Sequence, residues 1–176
     1  MKTLLIFAFT ALTFTAFAQD SVLTGEMVVA NTMAVRNMRQ QPAPAFSAFT
    51  LDGKKKYITG LRGKVVILSV WTTSCGPCIR EINSFKDFKK RYKNKQVEFI
   101  ALSPVDNLAD IKAFLTKHTL DFGIWYQPSA NFVKDYTAVM YPTNYVIDKT
   151  GIVRYASQGY SKTNYSDISA VVKQYL

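Results

Sequence analysis

The chain has 176 residues, enough for one domain with a hydrophobic core of its own. Hydrophobic residues make up 48% of it and charged residues 19%, a balance that excludes an intrinsically disordered protein. The net charge of +10 does not indicate nucleic-acid binding, because the basic runs carry no interleaved aromatic residues placed for base stacking. We interpret these runs as solvated surface, with a positive face that favours acidic partner proteins as the alternative.

The first residues have the pattern of a secretory signal peptide. The stretch MKTLLIFAFTALTFTAFA begins with positive charge, continues with apolar residues and scattered threonines, and ends in a small-x-small cleavage pattern. We predict a signal peptide over residues 1–18. An uncleaved signal anchor is the alternative, although so short an apolar run would span a bilayer poorly. Export would place the protein, soluble and without stable membrane insertion, in the periplasm or cell envelope, where disulfides persist.

Residues 19–43 are predicted to form an N-terminal extension before a single domain over residues 44–176. The apolar positions of EMVVANTMAVRNMRQQPAP fit a short amphipathic helix only loosely. Pro42 and Pro44 then break regular structure, because proline lacks a backbone donor and clashes with a preceding helical turn. The domain is therefore predicted to begin where this stretch ends.

Strands and helices alternate along residues 44–176. In chain order we first predict a strand from Phe46 that ends in the Asp52-Gly53 turn, a strand over Val65–Trp71 and a helix from the cysteines to Tyr92. A strand over 97–103, a helix around Leu108–Leu115 and a strand over 122–126 are predicted next. The last predicted elements are a short helix over 130–136, a hairpin of 143–148 and 151–157, and a helix over 165–176. The stretch Val65–Trp71 does not alternate with polar residues, which indicates a strand buried on both faces. This order of elements predicts an α/β fold with a mixed sheet.

The only two cysteines of the chain, Cys75 and Cys78, lie between this buried strand and the helix that follows. A structural disulfide here would close a loop so small that it gains about 2 kcal/mol on the chain-entropy model, less than half the gain from a hundred-residue loop. A zinc site needs four ligands, and the chain adds only His118, which we interpret as a surface residue near a helix C-terminus. No metal and no cofactor are predicted, while a copper(I) site on the two thiols stays open as an alternative.

The position of the pair at the start of a helix favours redox chemistry. The N–H groups and the dipole of a helix N-terminus stabilise an anion, here the thiolate that attacks disulfides. Cys75 at the mouth of the helix is predicted to be the nucleophile, and Cys78, one turn inside, to resolve the mixed disulfide. Gly76 is expected to allow the turn and Pro77 to fix the first helical residue.

The stretches LRGKVVILSVWTTSCGPCIREI and YPTNYVIDKTG resemble the TlpA/ResA-like thiol-disulfide oxidoreductases of the thioredoxin superfamily. The resemblance implies a thioredoxin-like fold, a central mixed β-sheet flanked by helices, with a TlpA/ResA-type insert before the cis-proline loop that residues 107–126 could supply. Tyr141-Pro142-Thr143 looks like that loop, which in the family packs beside the disulfide and offers backbone to a substrate. The residues that the resemblance implies for substrate binding are Trp71, Gly76, Pro77, Tyr141, Pro142 and Thr143.

Four positions bear on how such a site would work. Ser69 occupies the place where thioredoxin has a buried aspartate that helps move protons, and Ser74 replaces a tryptophan often found before the first cysteine. Glu81 matches a glutamate that ResA-like proteins carry beside their disulfide, and it is predicted to relay protons or to tune the pKa of the cysteines. The alternative for Glu81 is a first-turn acid that merely suits the helix dipole. Tyr141 is bulkier than the usual residue before the proline and is expected to narrow the range of substrates.

The expected function is that of an exported thiol-disulfide oxidoreductase that reduces disulfides of envelope proteins, with a membrane thiol carrier as electron donor. Reduction of the haem-site cysteines of apocytochrome c, in cytochrome c maturation, is one substrate hypothesis that the resemblance implies. A peroxidase ranks lower, because peroxiredoxins do not carry a C-x-x-C active site of this kind. The non-enzymatic alternative is a copper(I) carrier or a binding module that uses the same cysteine pair without redox catalysis.

Overall fold

The computed structural model describes residues 24–92, 96–120 and 122–176. The predicted signal peptide over residues 1–18 lies outside these ranges. Within them, no helix has the length and the hydrophobicity needed to cross a membrane.

The described residues form one mixed β-sheet with helices on both faces, which confirms the predicted fold class. The strands are β1 (Ser47–Thr50), β2 (Lys55–Tyr57), β3 (Val65–Val70), β4 (Val97–Ser103), β5 (Gly123–Tyr126), β6 (Thr143–Ile147) and β7 (Val153–Gln158). The helices are α1 (Gly25–Asn37), α2 (Gly76–Ser84), α3 (Lys86–Arg91), α4 (Leu108–Leu115), α5 (Phe132–Asp135) and α6 (Asn164–Tyr175), with a short 3-10 turn at Ile58–Leu61.

The strand order in the sheet is β2-β1-β5-β4-β3-β6-β7. Strand β4 runs parallel to its neighbours β3 and β5, and the other neighbouring strands are antiparallel. The helix α4 and the strand β5 occupy the stretch where an insert was expected. Because β3 and β4 are parallel neighbours, the loops that follow them leave the sheet at the same edge.

Strand β3 is buried along its whole length, as its unbroken apolar sequence predicts. Its side chains alternate between two cores. Val66, Leu68 and Val70 pack on the side of α1 and α5. Val65 and Ile67 pack on the opposite side, against aromatic residues of α3 and apolar residues of α6. The face that carries Val65 and Ile67 is also the face that α2 covers, so it supports the cysteine pair.

The helix that follows the cysteines is interrupted at Phe85, so the prediction of one continuous helix up to Tyr92 was wrong. Phe85 ends α2 and precedes α3, with φ −89° and ψ −2°. Its side chain is 0% exposed, and its ring centroid lies 5.3 Å from that of Phe99 on β4. Apolar spacing predicts the buried face of a helix but not an interruption of its axis. At the interruption the Ser84 hydroxyl donates to Glu81 O at 2.6 Å, and the Phe85 N–H donates to Ile82 O at 3.0 Å.

The described part of the predicted N-terminal extension is ordered and packs along β7. Helix α1 is capped by Thr24, whose hydroxyl accepts the Met27 N–H at 3.4 Å. Beyond the helix, Gln40 N–H donates to Val153 O at 2.7 Å, and Ala43 N–H donates to Gly151 O at 2.9 Å. These bonds pair backbone from residues 40–43 with the first residue of β7 and with the residues just before it.

Candidate active site

Cys75 and Cys78 form a disulfide at the start of α2, with the two sulfurs 2.04 Å apart. The two residues differ in their access to solvent. Cys75 is partly exposed, whereas Cys78 is 0% exposed and packs against Trp71, Ile82 and Ala101. A partner protein can therefore reach the sulfur of Cys75 but not that of Cys78.

The sulfur of Cys75 occupies the capping position of α2. Its Sγ accepts the backbone N–H of Cys78 at 3.2 Å, and Pro77 in the first turn has no N–H that needs a partner. When the disulfide is opened, this N–H and the helix dipole favour the negative charge of a Cys75 thiolate.

Gly76 is not required for the turn that precedes α2, which contradicts the prediction made for it. Its φ does not lie in the left-handed region, and a Cβ placed there would meet no atom within 4 Å. Both Gly76 and Pro77 are exposed next to Cys75. Their contribution to the site is an accessible backbone beside the sulfur.

The loop before β6 lies beside the disulfide, and its Tyr141–Pro142 peptide bond is cis. Tyr141 is partly exposed and packs against the cluster that contains both cysteines and Trp71. Burial, with a smaller contribution from the charge of Asp106, raises the pKa of Tyr141. Tyr141 is therefore a residue of this loop that both contacts the cysteine cluster and reaches solvent.

Three of the residues expected to bind substrate are buried instead. Trp71 and Thr143 are 0% exposed, and Pro142 is also buried. The Trp71 ring packs against Phe114 of α4, with centroids 5.1 Å apart. Trp71 thus packs α4 beneath the cysteines, and substrate binding by these three residues, including through the backbone of the cis-proline loop, stays a prediction.

A buried carboxylate, Asp106, ties the loop before the cysteines to the end of β4. Its Oδ2 accepts the Thr73 N–H at 2.8 Å and the Ser103 hydroxyl at 2.8 Å, and its Oδ1 accepts the Thr73 hydroxyl at 2.9 Å. Sequence reasoning missed this residue. The available signal was a carboxylate directly after β4, since the C-terminal ends of neighbouring parallel strands meet.

An Asp106→Ala variant is expected to lower the free energy of unfolding by about 2 kcal/mol, because it leaves the partly buried donors of Thr73 and the buried hydroxyl of Ser103 without their acceptor. Disulfide reductase activity should fall with it, since the loop that carries Cys75 loses its anchor. Urea unfolding of the oxidised protein measures the first effect. Asp135→Ala, which removes an exposed carboxylate on α5, is the matched control; equal stabilities of the two variants would contradict the anchoring role.

Glu81 lies in the interior, where two side-chain amides donate to its carboxyl group. The side chain is 1% exposed. Asn144 Nδ2 on β6 donates to Oε2 at 2.8 Å, and Asn164 Nδ2 at the start of α6 donates to Oε1. Burial raises the pKa of Glu81, and the hydrogen bonds from Asn164 and Asn144 oppose that rise. The alternative of an acid that merely suits the helix dipole is therefore wrong.

Ser69 lies on the same face of the sheet, directly opposite Asn144 in the register of β3 and β6. Its hydroxyl is buried and has no hydrogen-bond partner among the described residues. A serine at this place supplies no titratable group. The buried carboxyl group on this face of the sheet is instead that of Glu81, which belongs to α2.

The described residues contain no group of three or more His, Cys, Asp or Glu side chains arranged to hold a metal ion. His118 is partly exposed and stacks on Phe114, with centroids 4.2 Å apart. Its imidazole is thus engaged with the end of α4.

A family model described as the AhpC/TSA family matches residues 40–156. The chain is 34% identical over 111 residues to a thiol-disulfide oxidoreductase ResA of Bacillus thuringiensis subsp. konkukian (strain 97-27), covering 63% of this chain and 64% of that protein. It is 31% identical over 118 residues to the thioredoxin-like protein YneN of Bacillus subtilis (strain 168), and the match covers 65% of this chain and 68% of that protein. A crystal structure described as a thiol:disulfide interchange protein DsbE from Chlorobium tepidum superposes with a TM-score of 0.70 at 22% identity, covering 77% of this chain and 96% of that one. That structural likeness bears on the fold alone.

Proposed function

Since the chain belongs to the AhpC/TSA family, as a ResA-like member of the thioredoxin superfamily, we propose that it is an exported oxidoreductase that reduces disulfides of envelope proteins. The observation that carries the proposal is the unequal access of the two sulfurs. Cys75 caps α2 and is partly exposed, while Cys78 is buried behind it. This is the arrangement that an attacking and a resolving thiol require.

The reaction begins from the dithiol form. The Cys75 thiolate attacks one sulfur of a substrate disulfide, a mixed disulfide forms, and the other substrate sulfur leaves as a thiolate that takes a proton from solvent. Cys78 then loses its proton and attacks the Cys75 sulfur. The bond from Cys75 to the substrate breaks, the second substrate thiol is released, and the Cys75–Cys78 disulfide forms. Two electrons have passed to the substrate.

The proton of Cys78 needs an acceptor, because solvent does not reach this buried thiol. Glu81 lies three positions after Cys78 on α2, so the two side chains share one face of the helix. Burial raises the pKa of Glu81 towards that of a thiol, which brings the two groups closer in proton affinity. We assign to Glu81 the role of the base in the resolving step.

The substrates and the electron donor follow from the family and from the predicted export. Disulfides of envelope proteins, among them the haem-site cysteines of apocytochrome c, fit a solvent-accessible Cys75 flanked by exposed backbone. A membrane thiol carrier would return the Cys75–Cys78 disulfide to the dithiol form. The chain spans 64% of the length of the ResA relative, and these partners are carried over to it as part of the proposal.

The midpoint potential of the Cys75–Cys78 couple tests the direction of electron flow. We expect a value near that of thioredoxin, about −270 mV, because the pair encloses the same Gly-Pro dipeptide. Equilibration with glutathione or dithiothreitol buffers, followed by alkylation of free thiols, measures it. A value near about −120 mV would make the protein an oxidant. Binding of one copper(I) per chain without any reduction of insulin would favour the carrier alternative.

A further inference from the structure

Two carboxamides hold both oxygens of the Glu81 carboxyl group. Asn144 reaches Oε2 from β6, and Asn164 reaches Oε1 from the start of α6. Glu81 itself belongs to α2. Three separate elements therefore meet at one buried carboxyl, and none of the three residues is more than 3% exposed.

The contacts of Asn164 set its amide so that the nitrogen faces Glu81. Asn164 Nδ2 also donates to Gly159 O at 3.0 Å, and Tyr155 donates its hydroxyl to Asn164 Oδ1 at 3.4 Å. These contacts prevent the amide from turning its oxygen towards the carboxylate. Asn164 thus presents a donor to Glu81 whether Glu81 is charged or neutral.

Asn144 also donates to Glu81, but its surroundings differ from those of Asn164. Its Oδ1 is buried without a hydrogen-bond partner among the described residues, a state that costs free energy. Among the described residues, the only side-chain hydrogen bond of Asn144 is the one that its Nδ2 donates to Glu81. An asparagine at this position is therefore better explained by the carboxyl it serves than by the stability of the sheet.

If the pair exchanges disulfides as proposed above, we propose that Asn144 and Asn164 are positioning residues that keep Glu81 ionised and aligned to accept the Cys78 proton. Amide N–H groups favour the charged carboxylate, which accepts hydrogen bonds at both oxygens. Burial acts in the opposite direction. In the resolving step, the proton passes from the Cys78 sulfur to a Glu81 oxygen, and the Cys78 thiolate forms the S–S bond with Cys75 as the bond from Cys75 to the substrate breaks. The released substrate thiolate takes its proton from solvent, and Glu81 returns its proton to Cys78 when the electron donor reopens the disulfide.

Other titratable groups around the cluster are few. On β7 the Tyr155 hydroxyl faces it, with a pKa raised mainly by burial and further by the charges of Asp167 and Glu81. Arg39 lies over the Tyr155 ring at 5.0 Å, and Asp167 on α6 is exposed. On α2 itself, Cys78 is a titratable residue on the same buried helix face as Glu81. A pH effect confined to the resolving step therefore reports on the Cys78–Glu81 pair, and a Glu81→Gln background separates the contributions of the two groups.

Stopped-flow reaction of the reduced protein with 5,5′-dithiobis(2-nitrobenzoate) separates the two steps. The first release of thionitrobenzoate reports attack by Cys75, and the second reports attack by Cys78. Loss of either amide donor raises the pKa of Glu81 further, so Glu81 becomes an active base only at higher pH. We expect Asn144→Ala and Asn164→Ala each to shift the pH midpoint of the second phase upward by about one unit, with the first phase unchanged.

Two further variants make the outcome decisive. Asn83→Ala, at an exposed position on α2, should leave both phases as in the wild type. In a Glu81→Gln background, the asparagine substitutions should cause no further shift, since the base they serve is absent. A wild-type midpoint in both asparagine variants, or an equal shift in the Glu81→Gln background, overturns the positioning role. If one asparagine variant does not fold, the other supplies the same comparison. Absence of both phases from the folded wild type would instead refute the proposed function.

Discussion

A Cys75→Ala variant is expected to reduce no insulin beyond the rate of dithiothreitol alone. The partly exposed sulfur of Cys75 is the one that a protein disulfide can reach, and the buried Cys78 cannot replace it. The loss should therefore be complete rather than partial. Insulin turbidity in the presence of dithiothreitol measures it, and Asn83→Ala, which changes an exposed residue on the same helix, serves as the control.

The opposite cysteine gives a complementary result. A Cys78→Ser variant should attack a substrate disulfide through Cys75 and then stop, because no thiol remains to release the substrate. After incubation of the variant with an envelope extract, non-reducing electrophoresis should show mixed disulfides that disappear when dithiothreitol reduces them. Insulin reduction by Cys75→Ala at the wild-type rate, or no trapped species with Cys78→Ser, would contradict the assigned order of attack.

A Phe85→Ala variant is expected to lower the free energy of unfolding by about 3–5 kcal/mol, the usual cost of truncating a buried aromatic residue. The ring is 0% exposed and lies within 5.5 Å of Phe88, centroid to centroid, as well as packing on Phe99. Its removal leaves a cavity between the α2–α3 junction and the sheet. Urea unfolding of the oxidised protein, followed by far-UV circular dichroism, measures the change.

A conservative substitution at the same position tests whether the loss follows the buried volume removed. Phe85→Leu keeps most of the buried volume and should lose about half as much stability. Val105→Ala, at a position that is 65% exposed, should change the free energy of unfolding by less than about 0.5 kcal/mol. A Phe85→Ala loss as small as that of Val105→Ala would show that this ring contributes little to the packing of the α2–α3 junction on the sheet.

Local patterns in the sequence predicted the parts of the fold that depend on neighbours along the chain. The buried strand β3, the β6–β7 hairpin and the start of a helix at the cysteines each follow from a short run of residues. The break at Phe85 does not, because Phe85 fits the apolar spacing of one continuous helix and is buried as that spacing predicts. The general order of elements was therefore predictable, whereas the bend beneath the cysteines was not.

The candidate site divides in the same way. Cys75, Cys78 and Glu81 lie within one short motif, and their proximity could be expected from helical spacing. The partners of Glu81 could not, since Asn144 and Asn164 lie 63 and 83 positions away along the chain. Asp106 is likewise 33 positions from the Thr73 it holds. Motif resemblance also does not determine exposure, as the burial of Trp71 under α4 shows.

The segment from α1 to residue 43, which packs along the outer edge of β7, has a consequence for folding. Arg39 and its acceptor, the carbonyl of Ala156, are 117 positions apart, so this closure joins segments synthesised far apart in time. Contacts of such long sequence separation form late, because the loop entropy must be overcome first. Until the segment docks, β7 offers an unpaired strand to other chains. The period in which a folding molecule can associate wrongly through β7 is thus set by how fast residues 40–43 reach it.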